Sequence, residues 1–164
     1  MVKYGLAQSP ADIEFVNGIG STGLNTNRID IFDRFQKRGF RFATVVHPSA
    51  VLGTDVTLGE GAQIMAGALI QASARLGANV IVNTGGSVDH DCSIDDHVHI
   101  APRATLCGNV AIGTSSHIGA GAVVLQNLNI GSEVMVGAGA VVVRDVASGL
   151  VVTGIPAISH NLTI

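Results

Sequence analysis

An aliphatic residue recurs at every sixth position over most of the chain. The series runs from Val46 to Val142, and all seventeen of its positions hold Val, Ile or Leu without an insertion. The residue two places earlier is small or medium-sized, as at Ala104, and the residue that follows is often glycine, as at Gly113. A period this strict indicates a repeat architecture.

A period of six selects strands over helices. An α-helix with 3.6 residues per turn falls out of phase with six after two turns, whereas the two-residue period of a strand divides it. One hexad then forms one flat side, three sides close a triangular coil, and glycines are expected to supply the unusual backbone angles of the corners. The sequence therefore predicts an all-β fold, a left-handed parallel β-helix whose coils stack about 4.8 Å apart.

In such a coil, residues three hexads apart should lie directly above one another. This places Gly108 above His90, and His117 above His99. It also predicts a vertical column of small residues, formed by Pro102, Ala120, Ala138 and Pro156.

The first part of the chain has a different character. Residues 1–41 carry six Lys/Arg and four Asp/Glu, whereas the other 123 residues carry three and eight. Residues 13–20 are predicted as a strand that ends in a glycine turn, and residues 27–38 as a helix with Thr26 available as its N-cap. We therefore predict a short α/β segment at 1–42 that packs on the β-helix at 43–148, followed by a C-terminal extension at 149–164.

Composition excludes several classes of function. The net charge of −3 provides no basic face, so no nucleic-acid partner is expected. No apolar run approaches the ~18 residues of a membrane span, and the N-terminus lacks the apolar region of a secretory signal. Two cysteines, Cys92 and Cys107, form neither a disulfide framework nor a zinc knuckle. A cytoplasmic protein is therefore expected.

Acidic residues and histidines concentrate at residues 89–99, where the sequence reads DHDCSIDDHVH. The simplest interpretation is a solvated rim of the prism. A metal site is a second, because His97 and His99 send two imidazoles to one side of a strand; γ-class carbonic anhydrases use this fold with three histidines. They need two histidines separated by four residues, however, and Ala122 stands where the partner of His117 would be, so no metal is predicted.

Acid–base catalysis is the third interpretation and the one we favour. His90 lies between Asp89 and Asp91, and a neighbouring carboxylate orients an imidazole and strengthens it as a base. The glycine predicted above it, Gly108, would let a substrate approach and a backbone N–H point at the reacting atom. A base beside a backbone donor is the arrangement that acyl transfer requires.

Residues 82–113, with HPSA at 47–50 and GIPA at 154–157, resemble the bacterial hexapeptide acetyltransferases that modify sugars. The similarity covers about residues 13–157 and is greatest to the sialic-acid O-acetyltransferase-like branch, which includes nucleotide-amino-sugar N-acetyltransferases. It implies a homotrimer that uses acetyl-CoA as co-substrate, with each site between neighbouring prisms. Arg103 stands where that family usually has glycine, which puts the geometry of one corner in question.

The resemblance also implies roles for individual residues. His90 would be the general base, Asp91 would raise its basicity, and His99 would contact acetyl-CoA. Gly108 and the small residues Ala120 and Ala138 would line the groove for the cofactor. On the acceptor side we expect Gly20 and Asn83, which would contact a sugar or nucleotide sugar.

The glycine-rich half that holds the nucleotide in this family has no counterpart in the sequence, so we expect tight binding of CoA and weak binding of nucleotide sugars. Gly18, Gly20 and Gly23 spell G-x-G-x-x-G, but no acidic residue follows at the spacing that NAD-binding proteins show. A non-catalytic β-helix, either a scaffold or a degenerate subunit, remains the alternative from another class.

Overall fold

The computed structural model describes residues 9–21 and 26–160. The described chain forms one helix, α1 (Asn27–Gln36), and a series of short strands. In chain order the strands are β1 (Glu14–Phe15), β2 (Arg41–Phe42), β3 (Val45–Val46), β4 (Val51–Leu52), β5 (Thr57–Leu58), β6 (Gln63–Ile64), β7 (Leu69–Ile70), β8 (Arg75–Leu76), β9 (Ile81–Val82), β10 (Ser87–Val88), β11 (Ser93–Ile94), β12 (His99–Ile100), β13 (Thr105–Leu106), β14 (Ala111–Ile112), β15 (His117–Ile118), β16 (Val123–Val124), β17 (Asn129–Ile130), β18 (Met135–Val136), β19 (Val141–Val142), β20 (Val151–Thr153) and β21 (Ile158–His160). Gly23 lies outside the described residues.

Strands β3 to β20 form three faces of parallel strands in a prism with about six coils, and β21 pairs antiparallel with β20 at the end of face 1. Face 1 contains β3, β6, β9, β12, β15, β18, β20 and β21; face 2 contains β4, β7, β10, β13, β16 and β19; face 3 contains β5, β8, β11, β14 and β17. Up to the last coil, each strand of a face pairs with the strand eighteen residues further on, as His99 pairs with His117. The predicted fold, a left-handed parallel β-helix with a short α/β segment in front, is confirmed.

The second residue of each strand from β6 to β20 points into the prism. Ile70, Ile100 and Leu106 are completely buried, and so is Ala104, one of the small residues two places earlier. The first coil is an exception, because Val46 and Leu52 keep 40% and 39% of their surface exposed. No coil of the described residues packs beneath them, so their position in the repeat does not bury them.

The corner glycines serve two purposes, and the predicted one holds at positions such as Gly61 (φ 70°) and Gly121 (φ 66°). Glycines that follow the aliphatic residue do not have positive φ; a Cβ added at Gly113 would instead lie 2.6 Å from the backbone nitrogen of Ser132 in the next coil. Close stacking of the coils therefore requires these glycines. Positive φ occurs further along the corner, often at other residues, such as Asp91 (φ 59°) and Arg103 (φ 58°). Arg103 thus keeps the corner conformation that the departure from glycine had put in question.

The α/β segment is a small β-α-β unit. Strands β1 and β2 pair in parallel, and α1 connects them. The predicted strand over 13–20 is only two residues long, and α1 ends at Gln36. Thr26 makes no side-chain cap; its Oγ1 donates instead to Asp30 Oδ2 at 3.3 Å.

Aromatic and polar contacts join this segment to the β-helix. Phe32 and Phe42 are buried over Gly61, where a Cβ would lie 2.9 Å from either side chain. The backbone carbonyl of Asn17 accepts a hydrogen bond from Gln63 Nε2 at 2.8 Å, and Arg28 Nη1 donates to the same carbonyl at 2.8 Å. The segment therefore lies against face 1 and the corner that leads into it.

The register of the last coil is two residues shorter than predicted. Ile130 pairs with Val146, and Met135 pairs with Val151, sixteen residues on rather than eighteen. The residue in register with Ala138 is consequently Gly154, so the predicted position of Pro156 in the column of small residues is wrong. A uniform period cannot reveal a shortened final turn.

Candidate active site

His90 occupies the corner between β10 on face 2 and β11 on face 3. Its Nδ1 lies 2.8 Å from Asp91 Oδ2, and its backbone N–H donates to Asp89 Oδ1 at 2.8 Å. Because a carboxylate only accepts, Nδ1 carries the hydrogen and Nε2 is left as the basic nitrogen. The positive φ of Asp91 belongs to the left-handed region, which Asp tolerates better than most residues.

The pKa of His90 is raised above its ordinary value, which suits a general base. The hydrogen bond that His90 donates to Asp91 is the main cause that raises the pKa of His90, and the charges of Asp89 and Asp91 raise it further. The side chain is 60% exposed, so water reaches the imidazole freely.

Gly108 lies directly against the free nitrogen of this imidazole, as predicted. A Cβ at position 108 would come within 2.6 Å of His90 Nε2, so only glycine leaves the ring in place. The next coil is fixed there by the Asn109 N–H, which donates to the His90 carbonyl at 2.8 Å. In the part of the chain that the structure describes, the Gly108 N–H has no hydrogen-bond acceptor.

His99 lies on face 1 in a very different environment. Its Nδ1 is 2.7 Å from Ser21 Oγ and 3.0 Å from the Ser21 carbonyl oxygen, and its Nε2 is 3.2 Å from Asn83 Nδ2. The ring of His117 packs edge-to-face on it, with 4.9 Å between ring centroids. Burial, with a further contribution from His117, lowers the pKa of His99 to about 4.

Ser21 is the residue of this group that the sequence did not indicate. It directly follows Gly20, whose surroundings leave open space where a side chain would be. The usable signal was a hydroxyl at the end of the glycine turn, because residues after the carboxyl end of a parallel strand commonly face ligands. The contact joins residues 78 positions apart in the chain.

A cavity of about 370 Å³ opens between α1 and face 1 beside this group. Its lining includes Ser21, Arg28, His97, His117 and Glu133. Charged side chains of both signs and two histidines therefore line the cavity.

Ala120 and Ala138 lie on a third part of the prism, the corner between faces 1 and 2. Their vertical alignment is supported by the Gly139 N–H, which donates to the Ala120 carbonyl at 2.9 Å. Both side chains are small and exposed at this edge of the prism.

The predicted site residues therefore occupy separate parts of one prism. His90 and Gly108 lie on the edge that faces 2 and 3 share, which in a triangular coil is the edge opposite face 1. His99 and Asn83 belong to face 1 and to the corner after it. A single chain consequently does not bring His90 and His99 to the same substrate.

Two further findings concern the described residues only. Within residues 9–21 and 26–160, no three side chains of His, Cys, Asp and Glu are arranged to hold a metal ion. The same part of the chain contains no helix with the length and apolarity needed to span a membrane.

Comparisons with known proteins agree with the fold. Residues 91–126 match the family described as bacterial transferase hexapeptide (six repeats). The acetyltransferase domain of PglB from Neisseria gonorrhoeae FA1090, also solved in complex with acetyl coenzyme A, superposes with a TM-score of 0.88 at 39% sequence identity. That match covers 94% of this chain and 74% of the PglB domain chain.

Two other solved structures are similar over most of the chain. PerB from Caulobacter crescentus, in complex with CoA and GDP-perosamine, gives a TM-score of 0.81 at 39% identity and covers 85% of this chain and 67% of its own. WeeI from Acinetobacter baumannii AYE gives 0.79 at 33% identity and covers 81% of this chain and 65% of its own.

Proposed function

We propose that this chain, which belongs to the bacterial hexapeptide-repeat sugar acetyltransferases, transfers the acetyl group of acetyl-CoA to an amine or hydroxyl of a nucleotide-linked sugar. Relatives at 38–40% identity have been solved with acetyl coenzyme A, or with CoA and GDP-perosamine. The observation that carries the proposal is the His90–Asp91 pair with its free Nε2 beside Gly108.

The geometry of this corner supports direct transfer. His90 Nε2 accepts a proton from the acceptor's amine or hydroxyl as that group attacks the thioester carbonyl carbon. The new C–N or C–O bond forms, and the carbonyl oxygen carries negative charge, which the Gly108 N–H is free to stabilise. The C–S bond then breaks, and the protonated His90 returns its proton to the departing thiolate. Asp91 keeps the imidazole oriented throughout.

The remaining predicted residues divide between the two substrates. Ala120 and Ala138 leave an unobstructed edge for the pantetheine arm of acetyl-CoA. Gly20 and Asn83 lie on the acceptor side. We propose that His99 lies where the two substrates meet. Both of its ring nitrogens form hydrogen bonds within the chain, so its ring carbons would make any contact with acetyl-CoA. Use of acetyl-CoA places the proposed reaction in the cytoplasm.

We infer that the protein assembles as a homotrimer, and the separation of these groups in one chain supports this. Since His90 lies on the edge opposite face 1, a complete site requires His90 of one copy beside face 1 or its corner on a neighbouring copy. Cyclic assembly of three prisms provides three such sites with identical contacts.

Activity is tested by thiol release from acetyl-CoA with a panel of nucleotide amino sugars. We expect acceptor-dependent release. Failure of every sugar, with the purified trimer intact, would favour the non-catalytic scaffold instead.

Complementation tests whether the site is shared. His90→Ala and Ala138→Tyr should each inactivate the enzyme, the second by blocking the groove. Co-expressed, they should regenerate roughly a quarter of the sites if subunits assort at random around a ring. Mixed trimers with no activity would contradict a shared site.

A further inference from the structure

The hydrogen bonds around His99 determine which of its ring nitrogens carries the hydrogen. The backbone N–H of Thr84 donates to Asn83 Oδ1 at 2.7 Å, so the oxygen end of that amide faces Thr84. The nitrogen end, Nδ2, therefore faces His99 Nε2 at 3.2 Å. An amide nitrogen only donates, so Nε2 must accept and the hydrogen must be on Nδ1.

The contacts of Ser21, on the other side of the ring, also require the hydrogen to be on Nδ1. Its carbonyl oxygen, which can only accept, lies 3.0 Å from Nδ1. Its hydroxyl oxygen lies closer, at 2.7 Å, and shares the same N–H. Two independent sets of contacts, from Asn83 and from Ser21, thus specify one tautomer.

We propose that Ser21 is a positioning residue for acetyl transfer, which together with Asn83 holds His99 in its Nδ1–H tautomer. The proposal rests on the function proposed above. It means that the α/β segment, to which Ser21 belongs, sets the geometry of the acceptor side of the β-helix.

The surroundings of His99 also keep its ring uncharged at neutral pH. Burial is the main cause that lowers its pKa to about 4; His117 and Arg28 also lower it, and the hydrogen bond to the Ser21 carbonyl raises it. At neutral pH the ring is therefore neutral, and protonation of Nε2 would set an N–H against the Asn83 N–H.

The arrangement leaves hydrogen-bond donors for a ligand. Because Ser21 Oγ accepts from His99, its own hydrogen is unused in the described part of the chain, and Ser21 lines the cavity beside α1. Asn83 Nδ2 also retains one hydrogen beyond the one given to His99. Both donors are fixed through the same ring, so both suit the oxygen atoms of a sugar acceptor.

Kinetics test the role of Ser21. Ser21→Ala should lower kcat/KM for the acceptor by about two- to tenfold, the effect of one hydrogen bond, while the KM for acetyl-CoA stays unchanged. Ser21→Thr, which retains the hydroxyl, should restore most of the loss. Ser49→Ala is the matched control, because Ser49 Oγ contacts Nδ1 of the exposed His47 at 2.8 Å in the same way; it should leave the rates unchanged.

Nitrogen NMR of the histidine rings tests the tautomer without any substrate. The wild-type protein at neutral pH should show His99 with hydrogen on Nδ1. In Asn83→Asp the partner of Nε2 becomes an acceptor, so hydrogen should appear on Nε2.

A wild-type His99 with its hydrogen on Nε2 would overturn the proposal, and so would a Ser21→Ala enzyme with unchanged kinetics. Loss of activity that Ser21→Thr does not restore, accompanied by a lower melting temperature, would show a structural role only and would also overturn it. If no sugar is acetylated, the proposed function fails by itself, and the NMR result still decides the state of His99.

Discussion

Two histidines on opposite parts of the prism have opposite properties. His90 is exposed on a corner, its pKa is raised by Asp91, and its Nε2 has no partner in the described chain. His99 is 7% exposed, its pKa is lowered to about 4, and both of its nitrogens are occupied. A base that works near neutral pH needs a free nitrogen and a pKa close to the working pH, so this comparison favours His90 as the base.

The repeat itself produces the difference. At a corner the chain turns outward and places charged neighbours beside His90, with the bare backbone of Gly108 above it. On face 1 the strand residue His99 is covered by the α/β segment. The same side chain thus acts as a proton acceptor in one place and as a fixed neutral group in the other.

Removal of the base should produce the largest effect. His90→Ala should lower kcat by roughly 10²–10⁴, the usual range for loss of a general base, with little change in acetyl-CoA affinity measured by calorimetry. The exposed His47 provides the control, and His47→Ala should remain fully active. Near-normal turnover in His90→Ala at neutral pH would remove His90 from the mechanism.

A methyl group above the base should have the next largest effect. In Gly108→Ala the new Cβ would meet Nε2 at 2.6 Å, so the imidazole must rotate away. Because misplaced groups react poorly, kcat should fall on the order of 10²-fold, while the exposed ring lets the fold adapt and the melting temperature stays close to that of the wild type.

Gly18→Ala is the matched control for this substitution, because no described atom lies within 4 Å of the added methyl group. A Gly108→Ala enzyme as active as Gly18→Ala would show that the ring does not need to remain where the structure places it.

Much of the fold could be predicted because a period is a local property that every coil repeats. The inward positions, the vertical pairing of His99 with His117 and the proximity of Gly108 to His90 all follow from counting in sixes. The exceptions occur at the ends of the prism, where Val46 has no coil of the described chain beneath it and the last coil is shortened by two residues.

Less of the candidate site could be predicted from the sequence. The dyad of His90 and Asp91 is local in sequence, so it could be identified. The contact of Ser21 with His99 joins two parts of the chain 78 residues apart that belong to different structural units. Only the packing of α1 and β1 on face 1 reveals it, and that packing has no period.

The free energy of unfolding at acidic pH should also distinguish His99 from His90. The unfolded chain binds protons on residue 99 below about pH 6.5, whereas the folded chain does so only near pH 4. Stability should therefore fall as the pH decreases through this window, by on the order of 3 kcal/mol. The raised pKa of His90 acts in the opposite direction.

Urea unfolding of the wild type and of His99→Gln between these pH values provides the measurement. The variant should lose less stability on acidification, although burial also lowers the pKa of His97 and His117 and some pH dependence must remain. Identical pH dependence in both proteins would show that His99 is protonated as readily as a free histidine.

The smallest expected change concerns the partner of the base. Asp91→Asn removes the hydrogen bond that raises the pKa of His90, so the acidic limb of the kcat/KM profile should move to lower pH. The asparagine amide can also offer an N–H to Nδ1 and favour the tautomer that leaves Nε2 protonated, so activity at neutral pH should fall by about tenfold despite the lower pKa.

A pH profile from about pH 5 to about pH 9 separates the two effects, because the acidic limb reports the pKa of His90 and the plateau reports which ring nitrogen carries the hydrogen. Asp89→Asn is the comparison, since Asp89 contacts the backbone N–H rather than the ring. An acidic limb that stays in place in Asp91→Asn, or moves equally in Asp89→Asn, would show that the exposed carboxylate of Asp91 does not control the base.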